Sequence, residues 1–214
     1  MTDVGADRTK ASWVEIVAAV LLASAAVATA WSSYQASRWT GEQAEAFASA
    51  NAARVESTRA SDLANAQSEI DVTTFAQWVD AYLRGEREVA TFFERRFREE
   101  FRPAFHSWLG TDPFEDRSAP DSPFAMPEYQ LAASAQADTL DAQAESLAAQ
   151  ARDDVQRATN YVLGVVLFAV SLFFAGVSTK LTNHRIQGVV VGIGCTIFLV
   201  AGTWIATFPV SLSV

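Results

Sequence analysis

The residues of this sequence that could perform catalysis are few and widely separated. It contains two histidines, His106 and His184, and one cysteine, Cys195, which lies inside an uncharged stretch. The adjacent acids Asp153 and Asp154 would point to different sides of a helix, so they do not form a cooperating carboxylate pair. Glycine-rich phosphate loops, nucleophile elbows and zinc-ligand spacings do not occur in the sequence. We therefore expect no enzymatic activity, no metal site and no cofactor.

A different kind of chemistry, the passage of ions, needs polar oxygen atoms along one face of an apolar helix. Thr196, Thr203 and Thr207 follow one another at intervals of seven and four residues, which places them on one helix face. These threonines, together with Glu15, are pore-lining candidates. The alternative is that the hydroxyls bond to carbonyls of their own helix and that Glu15 reaches the lipid headgroups.

Small residues in the same stretch predict close contacts between helices. Gly188 and Gly192 form a GxxxG element, and Gly202 follows further along. Where lipid surrounds a helix, small residues let two backbones approach closely. Three spans within one chain can use only some of these small residues for close helix contacts. We therefore expect a homo-oligomer that packs through Gly188, Gly192 and Gly202.

Three apolar stretches must position these residues. Residues 161–179 and 188–208 carry no charge and are separated by a short polar turn, which predicts a transmembrane helical hairpin. A third uncharged stretch begins at Ile16 and is bracketed by Trp13 and Trp31, as membrane interfaces often are. We interpret it as a retained first span; the alternative is a signal peptide that is cleaved near Ala28.

Charge constrains the partners and the orientation. The net charge of −9 argues against nucleic acid as a partner. The basic residues Arg8 and Lys10 precede the first span, and Lys180 and Arg185 lie in the hairpin turn. The positive-inside rule places both segments in the cytoplasm and the polar middle outside it.

The polar middle, residues 36–160, is predicted to be helical. One helix is expected to continue out of the first span and to pack closely against its neighbours. Trp39, Phe47, Val55, Leu63 and Ile70 recur along it without a strict heptad, and alanines fill the gaps to make a narrow face of small residues. Residues 73–108 carry aromatic residues at helical spacing and predict a second helix, which the Arg102-Pro103 step should end or kink. Residues 110–127 contain four prolines and predict a loop. From Pro127 a helix should lead into the second span, with a narrow apolar seam of Leu140, Leu147, Ala151, Val155, Ala158 and Val162.

The ends of the chain resemble those of small bacterial three-span membrane proteins that are classed as a domain of unknown function. The matching residues follow the first span and are Trp31, Tyr34, Gln35, Ala36, Arg38 and Trp39. The hairpin with its basic turn also matches in general form. The resemblance implies a bacterial membrane protein with this layout; it implies no activity and no functional residue.

Together these patterns predict an all-α membrane protein with three transmembrane helices and a helical extramembrane domain that continues from spans 1 and 2. The predicted segments are a cytoplasmic N-terminus (1–12), span 1 (13–35), an extracytoplasmic domain (36–160), span 2 (161–179), a cytoplasmic turn (180–187), span 3 (188–208) and a tail (209–214). We expect an oligomer in the bacterial inner membrane, its partners being the lipid bilayer and further copies. As a function we expect a passive ion channel gated by its outer domain; the alternative is a non-conducting scaffold or sensor that binds an envelope protein.

Overall fold

A computed structural model describes the backbone of residues 4–211 and the side chains of residues 13–211. The predicted cytoplasmic residues Arg8 and Lys10 lie outside the described side chains, as do residues 212–214 of the tail. The described chain is helical and contains no strand, which confirms the predicted all-α class. The elements are α1 (Val4–Leu83), α2 (Arg87–Glu94), α3 (Arg102–Leu109), a 3-10 turn (Pro123–Ala125), α4 (Ala132–Ser178) and α5 (His184–Ile205).

Helices α1, α4 and α5 are each long and apolar enough to cross a membrane, as predicted. In their most apolar windows, only 17%, 33% and 22% of the residues are buried within the chain. A water-soluble protein would hide most of such surface. The large apolar area left outside therefore fits contact with lipid or with other copies of the chain.

The chain divides into two packed units. The first, which we call the span unit, comprises residues 1–48 and 148–214, and the second, the polar unit, comprises residues 49–147. The core of the span unit joins α1, α4 and α5 through the buried residues Ala36, Trp39, Ala158, Tyr161, Phe168, Ala201 and Ile205.

Small residues form the buried face of α1, as the alanines of the sequence predict. Of the larger residues that recur along this helix, Phe47, Val55, Leu63 and Ile70 are each at least 50% exposed, and Trp39 alone is buried. The buried positions recur instead at intervals of three and four and are Ala46, Ala50, Ala53, Ser57, Ala60 and Ala64. Small side chains permit a closer helix approach, and Ser57 Oγ donates a hydrogen bond of 3.0 Å to the carbonyl oxygen of Ala137 on α4.

The seam predicted on α4 is only partly right. Val155 and Val162 are 46% and 52% exposed, whereas Ala151 and Ala158 are buried as expected. The buried face before the apolar window consists mainly of alanines, namely Ala133, Ala137, Ala144, Ala148 and Ala151. The helix begins at Ala132, a few residues later than predicted, where Glu100 accepts a hydrogen bond from the Ala132 N–H.

The single aromatic helix predicted over residues 73–108 is wrong. Helix α1 ends at Leu83, the chain turns through Gly85 with a positive φ of 76°, and α2 and α3 follow as separate helices. This φ lies in the left-handed region that glycine adopts without steric cost. The Arg102-Pro103 step begins α3 instead of ending a helix, because proline is well suited to a first helical turn.

The broken aromatic segment folds back on itself to form the core of the polar unit. The ring of Phe105 lies 4.8 Å from those of Trp78 and Phe97, in edge-to-face arrangements. The predicted loop packs on this core through Phe124 and Met126, and Trp108 Nε1 donates a hydrogen bond to the Pro120 carbonyl. The polar unit therefore has its own aromatic core.

Candidate functional site

Two of the three candidate pore-lining threonines, Thr196 and Thr203, lie on the outward face of α5, and Thr207 follows just after the helix ends at Ile205. Residues buried on this helix are Gln187, Val191, Gly194, Ala201 and Ile205. At about 100° per residue, Thr196 and Thr203 lie on the opposite face. Their hydroxyls donate to the carbonyl oxygens of Gly192 and Leu199, each at 2.9 Å, and Thr207 donates to Trp204 at 2.7 Å. This is the alternative bonding pattern described above, and it leaves the oxygen lone pairs of the hydroxyls available.

The glycines predicted to pack closely do not pack within one chain. A Cβ atom added to Gly188, Gly192 or Gly202 would meet no atom within 4 Å, apart from its own helix backbone. Gly194, by contrast, would bring its Cβ to 3.1 Å from Leu21 and 3.3 Å from Phe174. Gly188 and Gly192 are therefore open positions on the outward face of α5, next to the threonines and to the exposed Leu199.

Glu15 is exposed on α1. Within the described part of the chain, no hydrogen bond or ion pair joins it to the α5 threonines. A single chain thus brings Thr196, Thr203, Gly188 and Gly192 onto one face, while Glu15 lies on another helix.

The chain after α5 is tied to the ends of the other two spans. Gln35, which is fully buried on α1, bonds both backbone groups of Ser211: its Oε1 accepts from the N–H at 3.1 Å, and its Nε2 donates to the carbonyl at 3.4 Å. Tyr161 on α4 donates its hydroxyl to the Pro209 carbonyl at 3.0 Å. We call this arrangement the tail clasp.

A charged pair lies beside the tail clasp in the span unit. Asp154 is 1% exposed and accepts a 2.9 Å bond from Arg157, whose guanidinium carbon lies 4.6 Å from the centroid of the Trp39 ring. Asp153 is exposed, so the adjacent acids do point in different directions. Arg157, whose side chain is 38% exposed, thus compensates a buried carboxylate and packs on an aromatic face.

The polar unit contains a second buried carboxylate, which is not among the candidate residues of the sequence analysis. Asp71 is fully buried, and its Oδ2 accepts bonds from Arg98 at 2.8 Å and from the Tyr129 hydroxyl at 3.2 Å. Arg98 also pairs with Glu100. Burial raises the pKa of Asp71, although the positive charge of Arg98 acts in the opposite direction. Burial likewise raises the pKa of Tyr129, so its hydroxyl remains a hydrogen-bond donor at neutral pH.

A sequence signal for Asp71 did exist. Ala64, Asp71 and Trp78 are spaced by seven residues, and all three are buried on α1. Extending the alanine spacing past Ala64 would have placed Asp71 on the buried face. Its partner Arg98 lies 27 positions further along the chain, beyond the turn at Gly85, so helical spacing does not indicate the pairing.

The described residues contain no group of three or more His, Cys, Asp or Glu side chains that could hold a metal ion. His106 is exposed, and Cys195 is half-buried. The structure therefore brings polar side chains together in ion pairs and in hydrogen bonds between segments, and it leaves one face of α5 uncovered.

No family model matches this sequence, and neither a curated protein nor a solved structure matches it.

Proposed function

We propose that copies of this membrane protein associate through the outward face of α5 and enclose a passive path for cations. The observation that carries this proposal is the strip formed by Gly188, Gly192, Thr196 and Thr203, which is open within one chain. An apolar helix with small residues on its free face is well suited to pack against its own copies.

The bonding of the threonines supports cations as the permeating ions. The hydroxyls of Thr196 and Thr203 and that of Thr207, just beyond the helix, each donate to a carbonyl of α5, so the oxygens present only their lone pairs outward. Oxygen lone pairs can replace part of the hydration shell of a cation but offer nothing to an anion. An exposed acid such as Glu15 also favours cations wherever it faces the path.

Helices α1 and α4 support a role for the polar unit in gating. Each of these helices contains an apolar window and also residues of the polar unit. Buried alanines at intervals of three and four favour coiled-coil packing of both helices. A change in the polar unit would then be transmitted along two helices that have no break within their bounds.

The proposed orientation places the polar unit outside the cytoplasm of a bacterial inner membrane. Its support is the basic residues Arg8 and Lys10 near the N-terminus, Lys180 in the turn between α4 and α5, and Arg185 in the first turn of α5. Burial of Ala18, Leu21 and Ala25 in the span unit supports a retained first span. A reporter enzyme that works only outside the cytoplasm should be active when fused after Trp108 and inactive when inserted at Asn183. The opposite pattern would reverse the orientation.

Thr203→Leu is expected to reduce cation flux through liposomes that contain the full chain, because it removes a ligand oxygen and narrows the path. Flux can be followed with a potassium-sensitive dye under an imposed gradient. Thr203→Ser, which retains the hydroxyl, serves as the matched control and should conduct like the wild type. Equal flux through the leucine and serine variants would show that Thr203 does not line the path of the ions.

A second function is favoured by a separate observation on the polar unit. Val55, Leu63 and Ile70 lie on one side of α1 and are each more than half exposed. An exposed apolar strip of this kind typically binds another protein, which would make the chain a non-conducting scaffold or sensor for an envelope partner. Liposomes in which the wild-type chain carries no ion flux would favour this second function.

A further inference from the structure

The polar unit carries a basic groove on α2 that neither proposed function uses. This arginine groove has a volume of about 410 Å³ and is lined by Arg87, Glu88, Thr91, Phe92, Arg95 and Arg96. Arg87 and Thr91 share a side of α2, and Arg95 follows four residues later at the C-cap of the helix. Ala90 is buried on the other side, so the groove faces outward.

The arginines of the groove lack the partners that neighbouring arginines have. Arg84 pairs with Asp80, and Arg98 pairs with Asp71 and Glu100. Among the described residues, no carboxylate lies within 4.0 Å of the guanidinium of Arg87, Arg95 or Arg96; the ion pairs that do form involve only Arg38, Arg59, Arg84, Arg98 and Arg157.

This lack of partners is unexpected in a chain with 25 acidic and 16 basic residues. Acids are in excess, yet three cations surround one groove, where they repel one another. Arg96 is also held in place: its guanidinium carbon lies 3.5 Å from the centroid of the Phe92 ring, and its Nη1 donates to the Phe92 carbonyl. A cation fixed in this way loses little further freedom when it binds an anion.

We propose that the arginine groove binds a phosphate-bearing ligand. Three arginines and Glu88 give the groove a formal charge of +2. That charge matches a phosphate group, which carries roughly −1.5 to −2 at neutral pH and offers three strong acceptor oxygens. The planar fork of guanidinium donors fits such oxygens in pairs. The Thr91 hydroxyl donates to the Arg87 carbonyl, so the arginines alone supply side-chain donors to the ligand.

The phosphate could come from a soluble ion or from a lipid headgroup, and the experiment separates these sources. Full-length protein in detergent micelles would be dialysed to equilibrium against radiolabelled inorganic phosphate. A second arm would use dihexanoyl phosphatidic acid below its micelle concentration. Binding in both arms supports the proposal with free phosphate as a sufficient ligand, and binding in the lipid arm alone supports it with a headgroup as the source. Binding in neither arm overturns the proposal.

The double variant Arg87→Gln/Arg95→Gln should weaken binding roughly 10-fold or more, because charge-assisted hydrogen bonds are lost. Both residues are exposed, so the fold should tolerate the change. Arg54→Gln/Arg117→Gln, a pair of exposed residues elsewhere in the polar unit, changes the net charge equally and serves as the control. Equal weakening by the two double variants would show that net charge alone attracts the phosphate, and would overturn the groove as a site.

Discussion

Arg98→Ala is expected to lower the free energy of unfolding of the polar unit by about 3–5 kcal/mol, because it leaves a buried carboxylate without its cation. Asp71 is fully buried, and Arg98 donates the shorter of the two bonds that reach its Oδ2. The Tyr129 hydroxyl would remain, but a neutral donor does not balance a charge. Hydrogen exchange of amides in residues 49–147, measured on the full chain in detergent, would report this loss locally.

Two variants make the result specific to the buried pair. Arg84→Ala breaks an ion pair with Asp80 whose side chains are 63% and 59% exposed, so it should cost about 1 kcal/mol at most. Asp71→Leu combined with Arg98→Met removes both charges and should recover most of the lost stability. If Arg98→Ala cost no more than Arg84→Ala, the pair would contribute no more than a surface contact.

The pH dependence follows from the pKa of Asp71. Since burial raises this pKa above its ordinary value of 3.8, the folded state binds more protons than the unfolded state in the pH range between the two values. The carboxyl therefore destabilises the fold progressively as the pH rises through that range. The positive charge of Arg98 lowers the pKa of Asp71, so its removal raises that pKa further. The pH range over which the folded state binds the extra proton then extends to higher pH. The cost of Arg98→Ala should accordingly shrink when the pH is lowered far enough to protonate Asp71.

Gly192→Leu is expected to weaken self-association by roughly 5- to 150-fold, if overpacking an interface between helices costs about 1–3 kcal/mol as it does in protein cores. Within the chain, a side chain at this position would meet no atom within 4 Å, apart from the helix backbone. The leucine therefore leaves one protomer intact and acts only on a neighbouring copy. Energy transfer between labelled chains, measured over a series of protein-to-lipid ratios, would give the dissociation constant.

Gly176→Leu is the matched control for this prediction. Gly176 is also a helical glycine in an apolar window, and an added Cβ there meets no atom within 4 Å. It lies on α4 and not on α5, so its leucine variant should associate like the wild type. A wild-type chain that stays monomeric at every protein density would contradict the oligomer itself, and equal association of the two leucine variants would place the interface elsewhere.

The apolar spans were predictable because their signal is carried by composition and length. Residues 161–179 and 188–208 lack charge entirely, and such stretches have few alternatives to a spanning helix. The outward face of α5 was predictable for a similar reason, since Thr196 and Thr203 are fixed on one side by helix geometry alone.

The packing faces outside the spans were harder to predict in detail, because large apolar residues and alanines recur along the same helices and spacing alone does not say which of them face inward. Leu63 and Ile70 are exposed, whereas Ala60 and Ala64 are buried. Hydrophobicity ranks leucine above alanine, but a close helix contact leaves space only for the smaller side chain. The turn at Gly85 was missed because the aromatic residues on both sides of it happen to continue a helical spacing.

The pair formed by Asp71 and Arg98 could not have been derived from spacing alone. The two residues are 27 positions apart and meet only because the chain reverses direction between α1 and α3. Tyr129 reaches the same carboxylate from 58 positions away. Contacts of this kind depend on the tertiary fold, which local periodicity does not encode.

The tail clasp has a consequence for the biogenesis of the protein. The amide of Gln35 is synthesised early, but its bonding partner Ser211 follows 176 residues later. Until then, a polar side chain at the end of the first span lacks the groups that satisfy it in the finished fold, and a buried amide without partners is costly. The hydrogen bonds that join the ends of the three spans can therefore form only after nearly the whole described chain has left the ribosome. A chain truncated before Pro209 would leave Gln35 and Tyr161 without these bonds, a lasting defect that membrane quality control could recognise.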